Sequence, residues 1–175
     1  MTTNVAAYQA VASGAPLEKG TIERRDLRPD DIRIEIEFAG ICHSDIHTVR
    51  EEWGPIDFPL VPGHEIIGRV TEVGSEVTTF SVGERAGVGC LVDSCRECEW
   101  CLKGEENNCP KAVGTYRGKD RFTGEQTDGG YSTEIIVSEA FALYIPENLD
   151  PAATTPLLCA GITTYSPLRT WGVTE

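Results

Sequence analysis

The sequence lacks any apolar stretch that approaches the ~20 residues of a membrane-spanning helix, and its opening, Met1-Thr2-Thr3-Asn4, begins no basic-then-apolar leader. Basic residues are also scarce, because 15 Lys and Arg stand against 28 Asp and Glu, which gives a formal net charge of -13. Such a surface repels phosphate backbones and anionic lipid headgroups. We therefore expect a cytoplasmic protein that binds neither nucleic acid nor membranes.

A third absence is a glycine-rich loop for a dinucleotide. Nowhere does a Gly-x-Gly-x-x-Gly follow a strand and open a helix, and the nearest match, Gly87-Val88-Gly89, continues as Cys90-Leu91-Val92 without the third glycine. That loop is what holds a pyrophosphate at a helix N-terminus. The sequence therefore predicts that a Rossmann domain is absent from this chain.

Strand patterns dominate what is present. Residues 31–38 alternate between apolar and charged side chains, which predicts a half-buried strand with Ile32, Ile34, Ile36 and Phe38 on one face. Further strands are predicted over 5–11, 66–73 and 131–137. Many short strands separated by glycine-rich turns are typical of an irregular antiparallel β-barrel, so we expect a mainly β fold.

Helical patterns are few. Residues 44–51 can form two helical turns, for which Ser44 is a plausible N-cap. A second helix is predicted after Asp150-Pro151, because proline suits a first helical position.

Four cysteines, Cys95, Cys98, Cys101 and Cys109, fall within 15 residues. Structural zinc takes four soft ligands at tetrahedral corners, and two-residue spacers let successive sulfurs turn back onto one ion. An iron–sulfur cluster is the alternative, although its bacterial spacing to the last cysteine is three residues rather than seven. Disulfides are disfavoured in a reducing compartment. We interpret this segment as a closed structural zinc loop, which leaves no position open for chemistry.

The three histidines, His43, His47 and His64, fall within 22 residues, and a lone Cys159 follows much later. Taken singly, Cys159 is more often a small buried apolar residue, and Ser44 could merely cap a helix. Two thiolates and one imidazole from three segments would instead form a three-ligand zinc site with a free fourth position.

The order of these motifs resembles that of the zinc-dependent medium-chain alcohol dehydrogenases, and most closely their cinnamyl-alcohol-dehydrogenase-like branch. The motifs are Cys42-His43-Ser44-Asp45-x-His47, Val61-Pro62-Gly63-His64-Glu65, the four-cysteine loop and Cys159-Ala160-Gly161-Ile162-Thr163-Thr164-Tyr165. The resemblance runs from the first residue to the last. It implies a GroES-like zinc-binding catalytic domain over 1–150 and, over 151–175, the start of a helical junction toward a nucleotide-binding domain that is missing here.

Carried over residue by residue, the resemblance makes Cys42, His64 and Cys159 the ligands of a catalytic zinc. Glu65 then matches an acid that takes the fourth position at rest and leaves when substrate enters. Asp45 matches a carboxylate that orients the ligating histidine and raises its basicity.

The resemblance also implies a proton relay and cofactor contacts. Ser44 matches the hydroxyl that takes the alcohol proton, and His47 matches the outer member of the relay, three residues further along one helix face. His43 stands where relatives carry a basic residue near the cofactor pyrophosphate, and Thr163 resembles a residue beside the nicotinamide. Trp53 and Leu91 are candidates for the apolar substrate wall.

The resemblance thus implies an oxidoreductase that interconverts primary alcohols and aldehydes with NADP(H), holds two zinc ions per chain and forms any homo-oligomer through segments missing here. Zinc would act as a Lewis acid on the substrate oxygen. Because the glycine fingerprint is missing, we expect the chain alone to bind two zinc ions without turnover. The alternative is a stand-alone zinc-organised binding module without catalysis. A glycine-rich βαβ unit downstream in the reading frame would distinguish the two.

Overall fold

In the computed structural model, which describes residues 2–174, the chain forms nine strands and four α-helices. Strands β1 to β9 span Thr3–Gln9, Glu18–Arg24, Asp31–Ala39, Ile66–Val73, Arg85–Val88, Leu91–Asp93, Val113–Gly114, Glu134–Ser138 and Ala142–Tyr144. Helices α1 to α4 span His43–Val49, Glu99–Leu102, Pro151–Thr154 and Ala160–Thr170. The predicted mainly β class is confirmed.

The central sheet has five strands in the order β8-β3-β4-β5-β9, and β1–β2 and β6–β7 form separate two-stranded pairs. The sheet curls into a half-barrel, which agrees with the predicted irregular antiparallel β-barrel. Every strand pairing within residues 2–174 is antiparallel, so the described part of the chain contains no parallel βαβ unit. The prediction that a Rossmann domain is absent is confirmed for these residues.

The core lies on the inner face of this sheet, as the alternating pattern of β3 predicts. Ile32 and Ile34 are fully buried and pack with Ile66, Ile135 and Val137. The prediction for Phe38 is wrong, because this side chain is exposed. A register shift between Ile36 and Phe38 places an extra residue in β3, and such a bulge reverses which face the following side chain occupies.

Helix α1 begins one residue earlier than predicted, and its N-cap is Cys42 rather than Ser44. The Asp45 side chain reaches back to accept the Cys42 backbone N–H at 3.0 Å. This contact is half of a capping box, in which the third helical residue satisfies an N–H that the helix leaves free. The expectation that Ser44 is the N-cap is therefore wrong: Cys42 occupies that position, and Asp45 satisfies its backbone N–H.

The last described segment is helical, as Asp150-Pro151 predicts. The Asp150 carboxylate caps α3 by accepting the Ala153 N–H at 2.9 Å. Helix α4 then starts directly after Cys159 and carries no buried side chain. Within residues 2–174, no helix combines the length and apolar character needed to cross a bilayer.

Candidate metal centres

The first candidate centre is the four-cysteine loop around α2. Cys98 is the N-cap of α2, and this short helix brings Cys101 back toward it. The Sγ–Sγ distances are 3.5 Å for Cys98–Cys101, 3.8 Å for Cys95–Cys101 and 3.5 Å for Cys95–Cys109. These distances far exceed a disulfide bond of about 2.05 Å. The arrangement is that of four free thiols facing one point.

The donor set of this loop suits a thiophilic ion. The four sulfurs all lie within 4.8 Å of one another. The backbone N–H of Glu97 lowers the pKa of Cys95 to about 6, which favours the thiolate that a metal requires. Four thiolates form a closed tetrahedral set, so these residues fit a zinc ion that is structural.

The second candidate centre gathers residues from three distant segments. Cys42 precedes α1, His64 and Glu65 precede β4, and Cys159 precedes α4. One donor atom from each of these four side chains lies within 4.8 Å of the others, and the Cys42 and Cys159 sulfurs are 4.0 Å apart. His64 and Glu65 are 4% and 2% exposed. Burying ionisable side chains is costly unless they are paired or bind a metal ion, so this buried cluster is consistent with a cation site.

Asp45 fixes the orientation of the histidine in this cluster. Its Oδ1 accepts a hydrogen bond from His64 Nδ1 at 3.1 Å, which leaves Nε2 free to face the sulfurs. Burial opposes the charge on His64, but the Asp45 carboxylate outweighs it and raises the histidine pKa. Burial also raises the pKa of Cys159 to about 12, with the neighbouring Cys90 and Cys42 adding to the effect. Two sulfurs, one imidazole and one carboxylate fit a zinc ion at this second point.

The two predicted relay residues lie on the same helix but have different partners. Ser44 Oγ is 3.5 Å from the Cys42 sulfur and therefore stands beside the second centre. His47 instead hydrogen-bonds Glu52 through Nδ1 and stacks its ring on Trp53 at 5.0 Å between centroids. The helix thus places Ser44 beside the second centre and His47 toward solvent, and no side-chain hydrogen bond joins these two described residues.

The predicted cofactor residues, His43 and Thr163, follow two residues of the second centre, Cys42 and Cys159, closely in the chain. His43 is exposed and stacks on His47 with 4.4 Å between ring centroids. Thr163 is exposed in the first turn of α4, where its N–H donates to the Cys159 carbonyl at 2.9 Å. Both side chains are exposed, and their roles as cofactor contacts stay predictions.

Three residues near the second centre escaped the sequence analysis. Tyr131 donates its hydroxyl to Asp45, and Tyr116 packs its ring against that of His64 with 5.5 Å between the ring centroids. Cys90, for which the sequence suggests no role, has an exposed thiol beside Cys159. Sequence alone gives no sign of these contacts, because each depends on strands that meet only in the folded sheet.

Comparison with known proteins gives a family match. Residues 28–147 match the family described as the alcohol dehydrogenase GroES-like domain. This range includes both candidate centres except for Cys159.

Similar proteins extend over nearly the whole chain. NADP-dependent alcohol dehydrogenase C 1 of Mycolicibacterium smegmatis is 58% identical over 171 residues, which are 97% of this chain and 49% of the relative. The structure of CAD from Helicobacter pylori complexed with NADP(H) superposes with a TM-score of 0.98 at 40% identity, covering 100% of this chain and 51% of that one. The cinnamyl alcohol dehydrogenase from Sorghum bicolor gives a TM-score of 0.96 at 41% identity, covering 99% and 49%. The chain spans about half the length of the proteins it matches.

Proposed function

The chain belongs to the family of alcohol dehydrogenase GroES-like domains, and from this we propose that it is the metal-binding catalytic portion of a zinc-dependent oxidoreductase. The proposed reaction interconverts primary alcohols and aldehydes with NADP(H). One observation carries the proposal: donor atoms of Cys42, His64, Glu65 and Cys159 converge from three segments on one point. A set of two thiolates and one imidazole is the ligand set of a catalytic zinc, because it leaves one position open for substrate.

The chain's own residues divide the work at this centre. Cys42, His64 and Cys159 would hold a zinc ion, which when bound supplies a Lewis acid for the substrate oxygen. Asp45 holds the imidazole of His64 in one tautomer. Glu65 accepts the Ala160 N–H at 3.4 Å and so stays directed at the same point as the sulfurs.

Ser44 and His47 supply the proton path in this proposal. The Ser44 hydroxyl lies beside the Cys42 sulfur, where it can take a proton from a substrate hydroxyl. His47, with its side chain one-third exposed and bonded to Glu52, is placed to pass a proton to solvent. Because the two residues have no direct contact, the path between them needs a further group that bridges them.

The choice of cofactor and substrate class rests on the relatives. A relative at 58% identity is named an NADP-dependent alcohol dehydrogenase, and a structure with a TM-score of 0.98 is complexed with NADP(H). NADP(H) when bound supplies the hydride acceptor or donor. His43 and Thr163, both exposed, are the proposed contacts to it. The similarity to two CAD structures supports the cinnamyl-alcohol-dehydrogenase-like branch.

The proposal also covers the domain division, the cellular location and the oligomer contacts of the protein. The division at residue 150, with a helical junction after it, stays a prediction that the match over 28–147 supports. A cytoplasmic location is supported by seven free thiols, which persist in reducing compartments. Contacts that form a homo-oligomer are expected in segments outside this chain.

The test is the metal content of the chain by elemental analysis, with Cys159→Ala and Cys98→Ala compared. We expect two zinc ions per wild-type chain and one in each variant, with a different ion lost each time. Iron with visible absorption would contradict the assignment of the four-cysteine loop. A single ion per wild-type chain that survives Cys159→Ala would contradict the catalytic centre.

Catalysis is tested by comparing two lengths of protein. A protein that continues into a dinucleotide-binding domain should reduce aldehydes with NADPH, and Cys159→Ala should abolish that activity. The 175-residue chain alone should bind metal without steady turnover, since residues 2–174 contain no βαβ unit. Steady NADPH-dependent reduction by this chain alone would overturn that part of the proposal.

A further inference from the structure

We infer that Tyr131 is a positioning residue for the second metal centre, acting on His64 through the carboxylate of Asp45. The inference rests on the proposed function only in taking His64 as a metal ligand. Asp45 orients the metal-ligating histidine, and Asp45 is in turn oriented by a phenol from a remote part of the chain.

Asp45 is the point at which two ligand-bearing segments are joined. Its Oδ2 accepts the Cys42 N–H at 3.0 Å, and its Oδ1 accepts the Gly63 N–H and His64 Nδ1, both at 3.1 Å. The carboxylate thus ties the backbone of one ligand to the ring of another. A rotation of this carboxylate would loosen both contacts at once, so the group that fixes its rotation also fixes the ligands.

Tyr131 supplies that group. Its hydroxyl lies 2.9 Å from Asp45 Oδ2 and 3.2 Å from the Gly40 carbonyl oxygen, so its single proton goes to the nearer and charged acceptor, the carboxylate. Asp45 is almost fully buried, and few water molecules can replace a lost donor there. A charge-assisted hydrogen bond in such a place is among the stronger ones in a protein.

The backbone around Tyr131 leaves its side chain little freedom. The Tyr131 N–H donates to the Pro62 carbonyl at 3.0 Å, and its carbonyl accepts the Tyr8 N–H at 2.7 Å. Gly63 has a φ of +103°, and a Cβ built on it would lie 2.7 Å from the Tyr131 ring. The phenol therefore stands against the residue that precedes His64, and its hydroxyl cannot swing away without moving this segment.

Cobalt binding provides the test, because Co²⁺ bound to thiolates and imidazole absorbs visible light in a way that depends on ligand geometry. Tyr131→Phe removes one oxygen and keeps the ring. Tyr144→Phe, an exposed tyrosine on β9, is the matched control. We expect Tyr131→Phe to release the ion of the second centre to a chelator about tenfold faster and to alter its absorption spectrum. The four-cysteine loop should keep its ion at the wild-type rate, and Tyr144→Phe should match the wild type.

A double-mutant cycle with Asp45→Asn separates positioning from general support of the fold. If Tyr131 acts through Asp45, then adding Tyr131→Phe to Asp45→Asn should change the rate of cobalt release from the second centre little further. If Tyr131→Phe still made cobalt release tenfold faster in the Asp45→Asn protein, the inference would be overturned. Equal loss of both ions in Tyr131→Phe would also overturn it. A release rate and an absorption spectrum in Tyr131→Phe that equal those of the wild type would overturn it too. If Asp45→Asn binds no cobalt, this comparison of Tyr131→Phe with the wild type is the deciding one. Failure of the wild-type chain to bind cobalt at Cys159 would instead contradict the proposed function.

Discussion

Gly40 and Glu65 are packed so closely that the backbone of one touches the carboxylate of the other. The Gly40 N–H donates to the Glu65 carbonyl at 2.8 Å, and a Cβ built on Gly40 would overlap the Glu65 side chain. Gly40→Ala should therefore displace the Glu65 carboxylate from its position beside the sulfurs. We expect zinc at the second centre to be held about tenfold more weakly, measured by competition with a chelator. The four-cysteine loop serves as an internal control, and equal weakening at both centres would contradict this prediction.

The Ser44 hydroxyl is expected to matter for proton transfer and not for helix α1. Because the N-cap is Cys42, Ser44→Ala should leave the stability of the chain and its metal content unchanged. In a protein that carries the cofactor domain, it should lower kcat for alcohol oxidation about 10²-fold or more, the usual size of a general acid–base contribution. Ser44→Thr, which keeps a hydroxyl, should restore much of the rate. Full activity in Ser44→Ala would contradict the proposed relay.

The ion of the four-cysteine loop should contribute to the stability of the chain. A closed zinc site adds its binding free energy to folding. We expect Cys98→Ala to lower Tm by about 10 °C, equivalent to about 4 kcal/mol for a chain of this size. Cys90→Ala removes an exposed thiol outside the loop and should leave Tm unchanged. Calorimetry of zinc-loaded samples makes the comparison, and equal Tm values for the two variants would contradict it.

Asp120 should make a contribution to stability that disappears in acid. Although burial opposes it, hydrogen bonds from Arg28 and from the Phe122 and Thr123 backbone lower the pKa of Asp120 to about 2. A carboxyl with a lowered folded pKa stabilises the protein above its ordinary pKa of 3.8, and this is lost as pH falls toward 2. After allowance for solvent screening, we expect Asp120→Asn to lower the free energy of unfolding by about 1 kcal/mol at pH 7.

The pH dependence of that difference is the measurement that checks it. Denaturation curves at pH 7 and pH 3 should show the gap between wild type and Asp120→Asn shrinking in acid. Glu76→Gln, at an exposed carboxyl, is the control for a generic loss of charge. A gap that stays constant with pH would contradict the prediction.

Arg24 should stabilise the conformation of the loop that carries Tyr131. Its buried guanidinium donates to the carbonyls of Glu134, Asp128 and Gly129 at 2.7 to 3.0 Å. Burial lowers the arginine pKa only to about 10, so the group remains charged at pH 7. We expect Arg24→Met to lower the free energy of unfolding by about 3 kcal/mol, because three carbonyls lose a charged donor. Lys19→Met, at an exposed position, should change it little.

Local patterns explain what could be predicted from the sequence. The alternation of β3, the cysteine spacing of the loop and the Asp150-Pro151 helix start each depend on residues close in the chain. The prediction that Ser44 caps α1 was wrong because the helix begins at His43, which makes Cys42 the N-cap, and the Asp45 side chain bonds back to the Cys42 N–H. The prediction for Phe38 was wrong because a bulge depends on the partner strand and not on the strand's own alternation.

Contacts across the sheet explain what could not be predicted. Tyr131 lies 86 residues from Asp45, and Arg24 lies 105 residues from the Gly129 carbonyl that it binds. Nothing in the spacing of tyrosines or arginines indicates these partners, because they meet only through the register of β1, β2 and the segment before β8. The convergence of Cys159 on Cys42 and His64 was accessible only through the ordered resemblance to a family.

The spacing of the two centres along the chain sets an order in which they can be completed during synthesis. The cysteines that close the loop are 14 residues apart from first to last, whereas Cys42 and Cys159 are separated by 117. On a ribosome, the loop has emerged in full while Cys159 is still untranslated, and closing a short loop loses less chain entropy than closing a long one. The four-cysteine loop therefore has all of its ligands earlier in synthesis than the second centre, for which Cys42 and His64 need a residue that is made much later.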